Sequence, residues 1–362
     1  MGLILFSLCI GLGFRYPSSK KVTWGILLFM LFYFSFVERD GDYQQYKYVY
    51  ERFDSSWLTA YEPGFVGILW LCKQLGLSYS LFRLVVGSLF LGGLYRALRI
   101  QTKHTAFVLG LILIFPFFCF VAVIRSALAM AVILNVMPFL QDRSCKSTLR
   151  YIAGIGLAAL FHYSSLLFLA LLLVLIPMTR KTLALYAGFS LLAGLILHFT
   201  DWIYRALRLV TDNQKILGWF TDNASKANLT GAAAILILFG VFAATAWLVP
   251  RWTQALPAGQ KDYGILTGRI GILLCFAYPL FVYSSVFTRQ LYLLLPCVIL
   301  SCANAAFSGT CPRQITVGPI RIPFPVAAAL ATVVIFALYY DWPYWKQGLS
   351  MYDELLSFPQ IR

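Results

Sequence analysis

Two arginines and a histidine stand at the borders of long apolar runs in this sequence, where charged groups are costly. Arg125 follows the run FPFFCFVAVI, His162 lies between two apolar runs, and Arg289 opens another. A guanidinium is permanently charged and binds phosphate oxygens through paired hydrogen bonds. An imidazole can accept and release a proton near neutral pH. These residue types predict a site that binds phosphate or pyrophosphate and moves a proton.

Carboxylates and tyrosines are dense in the segment 38–64, which precedes these arginines. Carboxylates accept hydrogen bonds from sugar hydroxyls, and aromatic rings pack on the apolar faces of sugars. We therefore predict a set of substrate-binding residues: Arg39, Asp40, Asp42, Tyr43, Glu62 and Arg83. Asp40-Gly41-Asp42 has the D-x-D spacing of some metal sites, which leaves a metal site as an alternative. A single match is a weak signal, so no metal site and no cofactor are predicted.

Each of these residues also has a purely structural explanation. An arginine at a helix end can extend its charge to the membrane interface. Glu62-Pro63-Gly64 can simply start a helix, with proline in the first turn and the acid near the positive end of the helix dipole. His162 can be a hydrogen-bonded group at a helix end. The functional prediction rests on the co-location of these residues on one face of the molecule.

The composition predicts an integral membrane protein. The chain has 362 residues, of which 60% are hydrophobic and 12% are charged, about half the charged fraction of soluble domains. Apolar runs long enough for a bilayer core recur along the whole sequence. We predict an all-α, polytopic protein with about 12 transmembrane helices in one integral membrane domain, 1–362. The predicted spans are 2–14, 23–37, 80–98, 105–124, 126–141, 149–163, 164–178, 182–200, 231–249, 264–285, 288–306 and 324–340.

The segment 61–76 is apolar but short. The distribution of basic residues among the loops indicates whether it crosses the bilayer. If it does not cross, six loops fall on one side: 15–21, 96–104, 142–150, 179–181, 250–263 and 308–323. They carry 15 of the 29 basic residues and only Asp142 and Asp262 of the 14 acids. Because cytoplasmic loops are rich in Lys and Arg, we predict that 61–76 is re-entrant or interfacial. The connections 38–60 and 201–230 are then outer-face loops, the second with an interfacial helix.

The net charge of +15 does not indicate a nucleic-acid partner. The basic residues are scattered between apolar runs, without the stripe or motif that nucleic-acid binding requires. The eight cysteines occur singly and mostly within apolar runs. They are interpreted as small buried hydrophobic residues.

Four short motifs carry a family resemblance. The runs GDYQQY (41–46), YEPGF (61–65), IRSALA (124–129) and LFHYSS (160–165) follow one another in this order. In this order and spacing the chain resembles the EpsG/Wzy-type bacterial polysaccharide polymerases over about residues 30–180, and beyond them only Arg289 matches. That family more often has Arg-Gln where this chain has Arg125-Ser126.

The resemblance implies a membrane glycosyltransferase of O-antigen, capsule or exopolysaccharide biosynthesis. Such polymerases move a growing glycan from undecaprenyl pyrophosphate onto a new lipid-linked repeat unit. The donor and acceptor, with membrane lipid, would be the partners, and a chain-length regulator protein is a further candidate. The site would face the periplasm or cell exterior from the bacterial inner membrane. The alternatives are an O-antigen ligase-like glycosyltransferase and a lipid-linked oligosaccharide flippase or transporter.

These implications assign roles to the candidate catalytic residues, Arg125, His162 and Arg289. The arginines would stabilise the negative charge that develops on the leaving pyrophosphate, without a metal. His162 would be the general base, with Glu62 and Asp42 as alternatives. Near two arginines its imidazole is expected to stay neutral, and so to accept a proton.

Overall fold

The structure is a computed structural model. It describes residues 2–37, 42–53, 61–198, 229–283, 285–308, 314–317 and 320–345, together with 205, 208 and 209. Side chains are described over the same ranges except at 194–198, 229–230, 280–283, 285–290, 317, 320 and 342–345.

The described chain is predominantly helical. Its α-helices are α1 (Gly2–Arg15), α2 (Lys20–Phe36), α3 (Asp42–Glu51), α4 (Pro63–Gln74), α5 (Tyr79–Gln101), α6 (Thr105–Ile114), α7 (Phe117–Ala122), α8 (Ile124–Val136), α9 (Cys145–Ala159), α10 (Arg180–His198), α11 (Leu229–Trp252), α12 (Ala258–Tyr283), α13 (Ser285–Ala306) and α14 (Phe324–Trp345). The 3-10 helices Met137–Gln141 and Tyr163–Leu175 follow α8 and α9.

Helix starts and breaks have local causes. Ser19, Ser78 and Ser144 precede α2, α5 and α9, and each serine hydroxyl accepts a hydrogen bond from a backbone N–H of the first turn. Such caps satisfy donors that the helix itself leaves unpaired. The predicted span 105–124 is interrupted at Pro116, because proline lacks the N–H that would continue the helical ladder.

Each of the twelve predicted spans contains helix. Within the described residues, four helical segments are long and apolar enough to cross a bilayer: Tyr79–Gln101, Ile124–Gln141, Gly231–Trp252 and Phe324–Asp341. Shorter apolar helices occupy Gly2–Arg15, Thr105–Ile114, Tyr163–Leu175 and Leu291–Ala306. The fold is therefore that of a helical membrane protein, and the number of crossings stays a prediction.

One element departs from an all-helical fold. A two-stranded antiparallel hairpin is formed by β1 (Gln314–Val317) and β2 (Ile320–Pro323), with Gln314 opposite Pro323. The strands are rich in β-branched residues, and Gly318-Pro319 stands between them in the sequence. Both features favour a hairpin.

The ambiguous segment 61–76 forms a short helix. α4 has 12 residues, which correspond to about 18 Å of helix. A bilayer core is about 30 Å thick. Gly76 ends the segment with a positive φ of 67°, a backbone conformation that glycine adopts readily. The predicted re-entrant or interfacial placement is compatible with this length and stays a prediction.

Helix α6 lies at the centre of the bundle. Its residues 105–113 are all buried, and it packs against α1, α2, α13 and α14. Helix α5 runs from one end of the bundle to the other, about 34 Å for its 23 residues.

The two ends of α5 distinguish the two ends of the bundle. At its carboxyl end, the loops 15–21 and 96–104 meet through Ser18 Oγ and His104 Nδ1, 2.7 Å apart, and Asn304 Nδ2 donates to the carbonyl of Gln101. These contacts join three of the predicted basic loops or their borders. At its amino end, the Tyr79 hydroxyl donates to the carbonyl of Tyr43 in α3. We call this second end the site end.

Candidate functional site

Glu62 is the centre of a polar cluster at the site end. Its Oε2 lies 2.6 Å from Nη1 of Arg125. Its Oε1 lies 3.1 Å from Nδ1 of His162, and the same oxygen accepts the backbone N–H of Tyr163 at 3.1 Å. The cluster brings together two of the three predicted catalytic residues and one predicted substrate-binding residue.

The start of α4 positions Glu62. The residue has an extended backbone immediately before the helix, and Pro63 follows in the first turn. The backbone N–H groups of Gly64 and Phe65 both donate to the carbonyl of Leu160, at 2.8 and 3.3 Å. A Cβ atom at Gly64 would lie 2.8 Å from that carbonyl oxygen. Only glycine therefore allows the start of α4 to approach the end of α9 so closely.

The end of α9 positions His162. The helix ends at Ala159, and the His162 N–H donates to the carbonyl of Ala158. His162 itself is extended, with φ −157° and ψ 112°, before the 3-10 helix begins at Tyr163. This short break between two helices directs the imidazole to Glu62 and leaves the Tyr163 N–H for the same carboxylate.

The start of α8 positions Arg125. Nε of Arg125 donates to the hydroxyl of Tyr46 at 2.9 Å, in addition to the Nη1 contact with Glu62. The ring centroid of Tyr61 lies 4.8 Å from the guanidinium carbon, and that of Tyr46 lies 5.6 Å from it. Aromatic faces attract a cation at these distances. The guanidinium is thus held by a carboxylate, a phenol and two rings.

The electrostatics of the cluster determine its protonation. Burial alone would raise the pKa of Glu62, but hydrogen bonding from His162 and the charge of Arg125 lower that pKa to about 2. Glu62 is therefore ionised at neutral pH and accepts hydrogen bonds only. Nδ1 of His162 must then carry the proton that it shares with Glu62. In the neutral imidazole, Nε2 has a lone pair available to accept a proton.

The side chains of His162, Arg125 and Glu62 differ in their exposure to solvent. The relative exposure is 24% for His162, 13% for Arg125 and 5% for Glu62. The histidine is thus the most accessible member, and the carboxylate lies beneath the other two. Arg125 uses two of the five N–H groups of a guanidinium for Glu62 and Tyr46, and within the described residues the other three have no hydrogen-bond partner.

Three other predicted substrate-binding residues lie in α3 and α5. Asp42, in the first turn of α3, is half-buried and close enough to Tyr46 and Tyr61 to raise the pKa of both phenols, after the larger effect of burial. Tyr43 is buried, and its ring lies 4.7 Å from the guanidinium carbon of Arg83. Arg83 is also buried and donates to the carbonyl of Val37 at 2.7 Å. In this arrangement Tyr43 and Arg83 join α3 to α2 and α5, and the substrate-binding role of both stays a prediction.

The remaining predictions fall outside the described part of the molecule. Arg39 and Asp40 lie outside the described residues, as do most of 201–230 and the ends of 38–60. The backbone of Arg289 is in α13, but its side chain is not described. Within 38–60, residues 42–51 are helical rather than loop. Among the described residues, no three His, Cys, Asp or Glu side chains converge on a common point.

Tyr46 and Tyr61 belong to the cluster but were not among the predicted site residues. A signal was present for Tyr46, because Tyr43, Tyr46 and Tyr50 have the spacing of one helix face, and all three are buried. Tyr61 stands next to Glu62, and its hydroxyl accepts a hydrogen bond from Gln45 Nε2 at 3.3 Å.

Comparison with known proteins gives one family match for this chain. The model of the EpsG family matches residues 21–345, which contain the whole cluster. The match confirms the resemblance drawn from the four motifs and extends it well beyond residue 180. No curated protein and no solved structure matches the chain.

Proposed function

This chain belongs to the EpsG family, and from that premise we propose that it is a polysaccharide polymerase of the bacterial inner membrane. It transfers a growing glycan from undecaprenyl pyrophosphate onto a new lipid-linked repeat unit. The site end faces the periplasm or cell exterior. A chain-length regulator protein remains a candidate partner.

One observation carries the proposal. The contact between Glu62 Oε1 and His162 Nδ1 fixes the imidazole so that Nε2 is the atom left to act. A carboxylate that orients a histidine in this way also stabilises the imidazolium that forms when the histidine accepts a proton. The pair therefore has the arrangement of a general base and its positioning residue.

The proposed reaction uses this base on the acceptor. The acceptor hydroxyl gives its proton to Nε2 of His162, and its oxygen forms a bond to the anomeric carbon of the donor. The bond between that carbon and the pyrophosphate oxygen breaks, and its electron pair leaves with the lipid pyrophosphate. The proton resides on His162 until solvent or the product takes it.

Arg125 has two roles in this proposal. Its charge balances that of Glu62, which allows the carboxylate to remain ionised although it is buried. Its three remaining N–H groups are available to the pyrophosphate oxygens. The single positive charge of Arg125 is already offset by Glu62. In this proposal a second cation, Arg289, therefore helps to stabilise the leaving group, as expected from the sequence. The two guanidinium groups would supply this charge without a metal.

Glu62 does not suit the alternative roles expected from the sequence. A carboxylate whose pKa is about 2 is a weak base at neutral pH. Its two oxygens are occupied by three donors, and its side chain is 5% exposed. Glu62 is therefore proposed as a positioning residue, and the half-buried Asp42 remains the carboxylate that an acceptor sugar could contact.

The test is a reconstitution in liposomes. The purified protein receives one lipid-linked repeat unit, without nucleotide sugar and with or without EDTA, and the products are separated on a gel. We expect a ladder of longer glycans in both conditions, and none from a His162→Asn variant. No ladder from wild-type protein would contradict the polymerase. Glycan transfer to a different lipid acceptor would then identify a ligase, and movement between leaflets a flippase.

A further inference from the structure

The 3-10 helix Tyr163–Leu175 has a strict three-residue pattern of burial. Ser165, Phe168, Leu171 and Val174 are all buried against the bundle. A 3-10 helix has 3.0 residues per turn, so side chains three residues apart lie directly above one another. The buried side chains therefore form a straight line along one face of this helix.

A second line of residues with the same spacing is exposed and apolar. Leu167, Ala170 and Leu173 are all exposed, and we call them the outer row. Tyr163 and Leu166 are exposed beside its first turn. Within a bilayer, such a line would face hydrocarbon chains.

The outer row begins at the catalytic cluster. Tyr163 is the first residue of the 3-10 helix, and its N–H donates to the same Glu62 oxygen that contacts His162. The 13 residues of this helix extend for about 26 Å at about 2.0 Å per residue. The hydrocarbon core is about 30 Å thick. A helix of this length that follows the bilayer normal would cross most of the apolar layer.

We propose that the outer row binds the polyprenyl chain of the lipid-linked donor. The proposal rests on the proposed polymerase function, since it requires a lipid pyrophosphate at Arg125 and His162. A chain attached to that pyrophosphate must enter the hydrocarbon layer next to the cluster, between Tyr163 and the first residue of the row, Leu167. Contact along the row would hold the donor's anomeric carbon near Nε2 of His162.

The experiment compares donors that differ only in lipid length. The double variant L167A/L173A truncates the row. L236A/I237A is a matched control, because Leu236 and Ile237 are exposed apolar residues of α11, at 57% and 59% against 46% and 39% for Leu167 and Leu173. Each protein receives the same repeat unit on a long polyprenyl chain or on a farnesyl chain.

We expect L167A/L173A to raise KM for the long-chain donor about tenfold, equivalent to about 1.4 kcal/mol of lost contact. KM for the farnesyl donor should rise less, because a short chain can reach Leu167 but ends before Leu173, and the control variant should behave as wild type with both donors. Equal effects of the two double variants, or equal KM values of wild type for both donors, would show that bulk lipid covers the row. No ladder from wild type with either donor would instead contradict the polymerase function.

Photo-crosslinking provides a second measurement that does not depend on the stability of the double variants. A benzoylphenylalanine is introduced at Leu173 or, as control, at Ile237, and a radiolabelled long-chain donor is added. Labelling at Leu173 and not at Ile237 is expected. Equal labelling at both positions would overturn the proposal.

Discussion

Oε1 of Glu62 lies 3.1 Å from Nδ1 of His162, although 100 positions separate the two residues in the sequence. The contact depends on two helix termini that meet, the start of α4 and the end of α9. In the proposed mechanism the carboxylate orients the imidazole, and the imidazole transfers the proton.

Replacing His162 with asparagine separates these two functions. The asparagine side-chain N–H can take the place of Nδ1 and donate to Glu62, but nothing replaces Nε2. We expect kcat to fall about 10²- to 10⁴-fold, with little change in KM or unfolding temperature. Initial rates of polymer formation and thermal unfolding of the purified protein measure these quantities. Normal turnover would remove His162 from the reaction.

Replacing Arg125 with alanine leaves the Glu62 charge buried without its ionic partner. Loss of one partner of a buried ion pair costs about 3–5 kcal/mol, so R125A should unfold at lower temperature and form no polymer. In the double variant E62Q/R125A the buried charge is gone, and part of the thermal stability should return while activity stays absent. Additive losses of stability would show that the two side chains are not coupled.

The loss of folding stability at acidic pH should depend on Glu62. Its pKa is about 2 in the folded protein and ordinarily 4.5. A lowered carboxyl pKa stabilises the fold above pH 4.5, and this contribution is lost as pH falls from 4.5 towards 2. The difference in unfolding temperature between wild type and E62Q should shrink across that window. Parallel curves would contradict the low pKa.

Two glycines of α4 provide a matched pair for the helix contact. A Cβ at Gly64 would meet the Leu160 carbonyl oxygen at 2.8 Å, whereas a Cβ at Gly67 has nothing within 4 Å. Gly64→Ala should displace Glu62 from His162 and lower kcat at least about tenfold, whereas Gly67→Ala should keep full activity and gain about 0.5–1 kcal/mol of stability. Equal kcat for both variants would show that the approach to Leu160 does not position the site.

Arg83 tests a prediction made from the sequence. If its role is to join α3 to α2, Arg83→Met should leave the Val37 carbonyl unsatisfied and cost about 1–3 kcal/mol of stability. KM for the lipid-linked donor, measured at a temperature where the variant is folded, should not change. A raised KM would support the substrate-binding role instead.

The sequence by itself determined the class of molecule and the identity of most site residues. Long apolar runs predict membrane helices, and each predicted span contains a helix. The family followed from short motifs that contain Glu62, Arg125 and His162. Within the predicted outer-face connection 38–60, the tyrosine spacing in 42–51 also encoded a helix.

Only the tertiary structure decided which of these residues contact one another. Glu62, Arg125 and His162 belong to three different helix boundaries, and sequence distance carries no information on which oxygen contacts which nitrogen. From the sequence, Arg125 was predicted to bind pyrophosphate and Glu62 was an alternative base. The structure pairs the two side chains at 2.6 Å. The hydrogen bonds and charge of Arg125 and His162 lower the pKa of the Glu62 carboxyl to about 2, because together they outweigh the opposite effect of its burial. The more exposed histidine is therefore the group that we propose as the base.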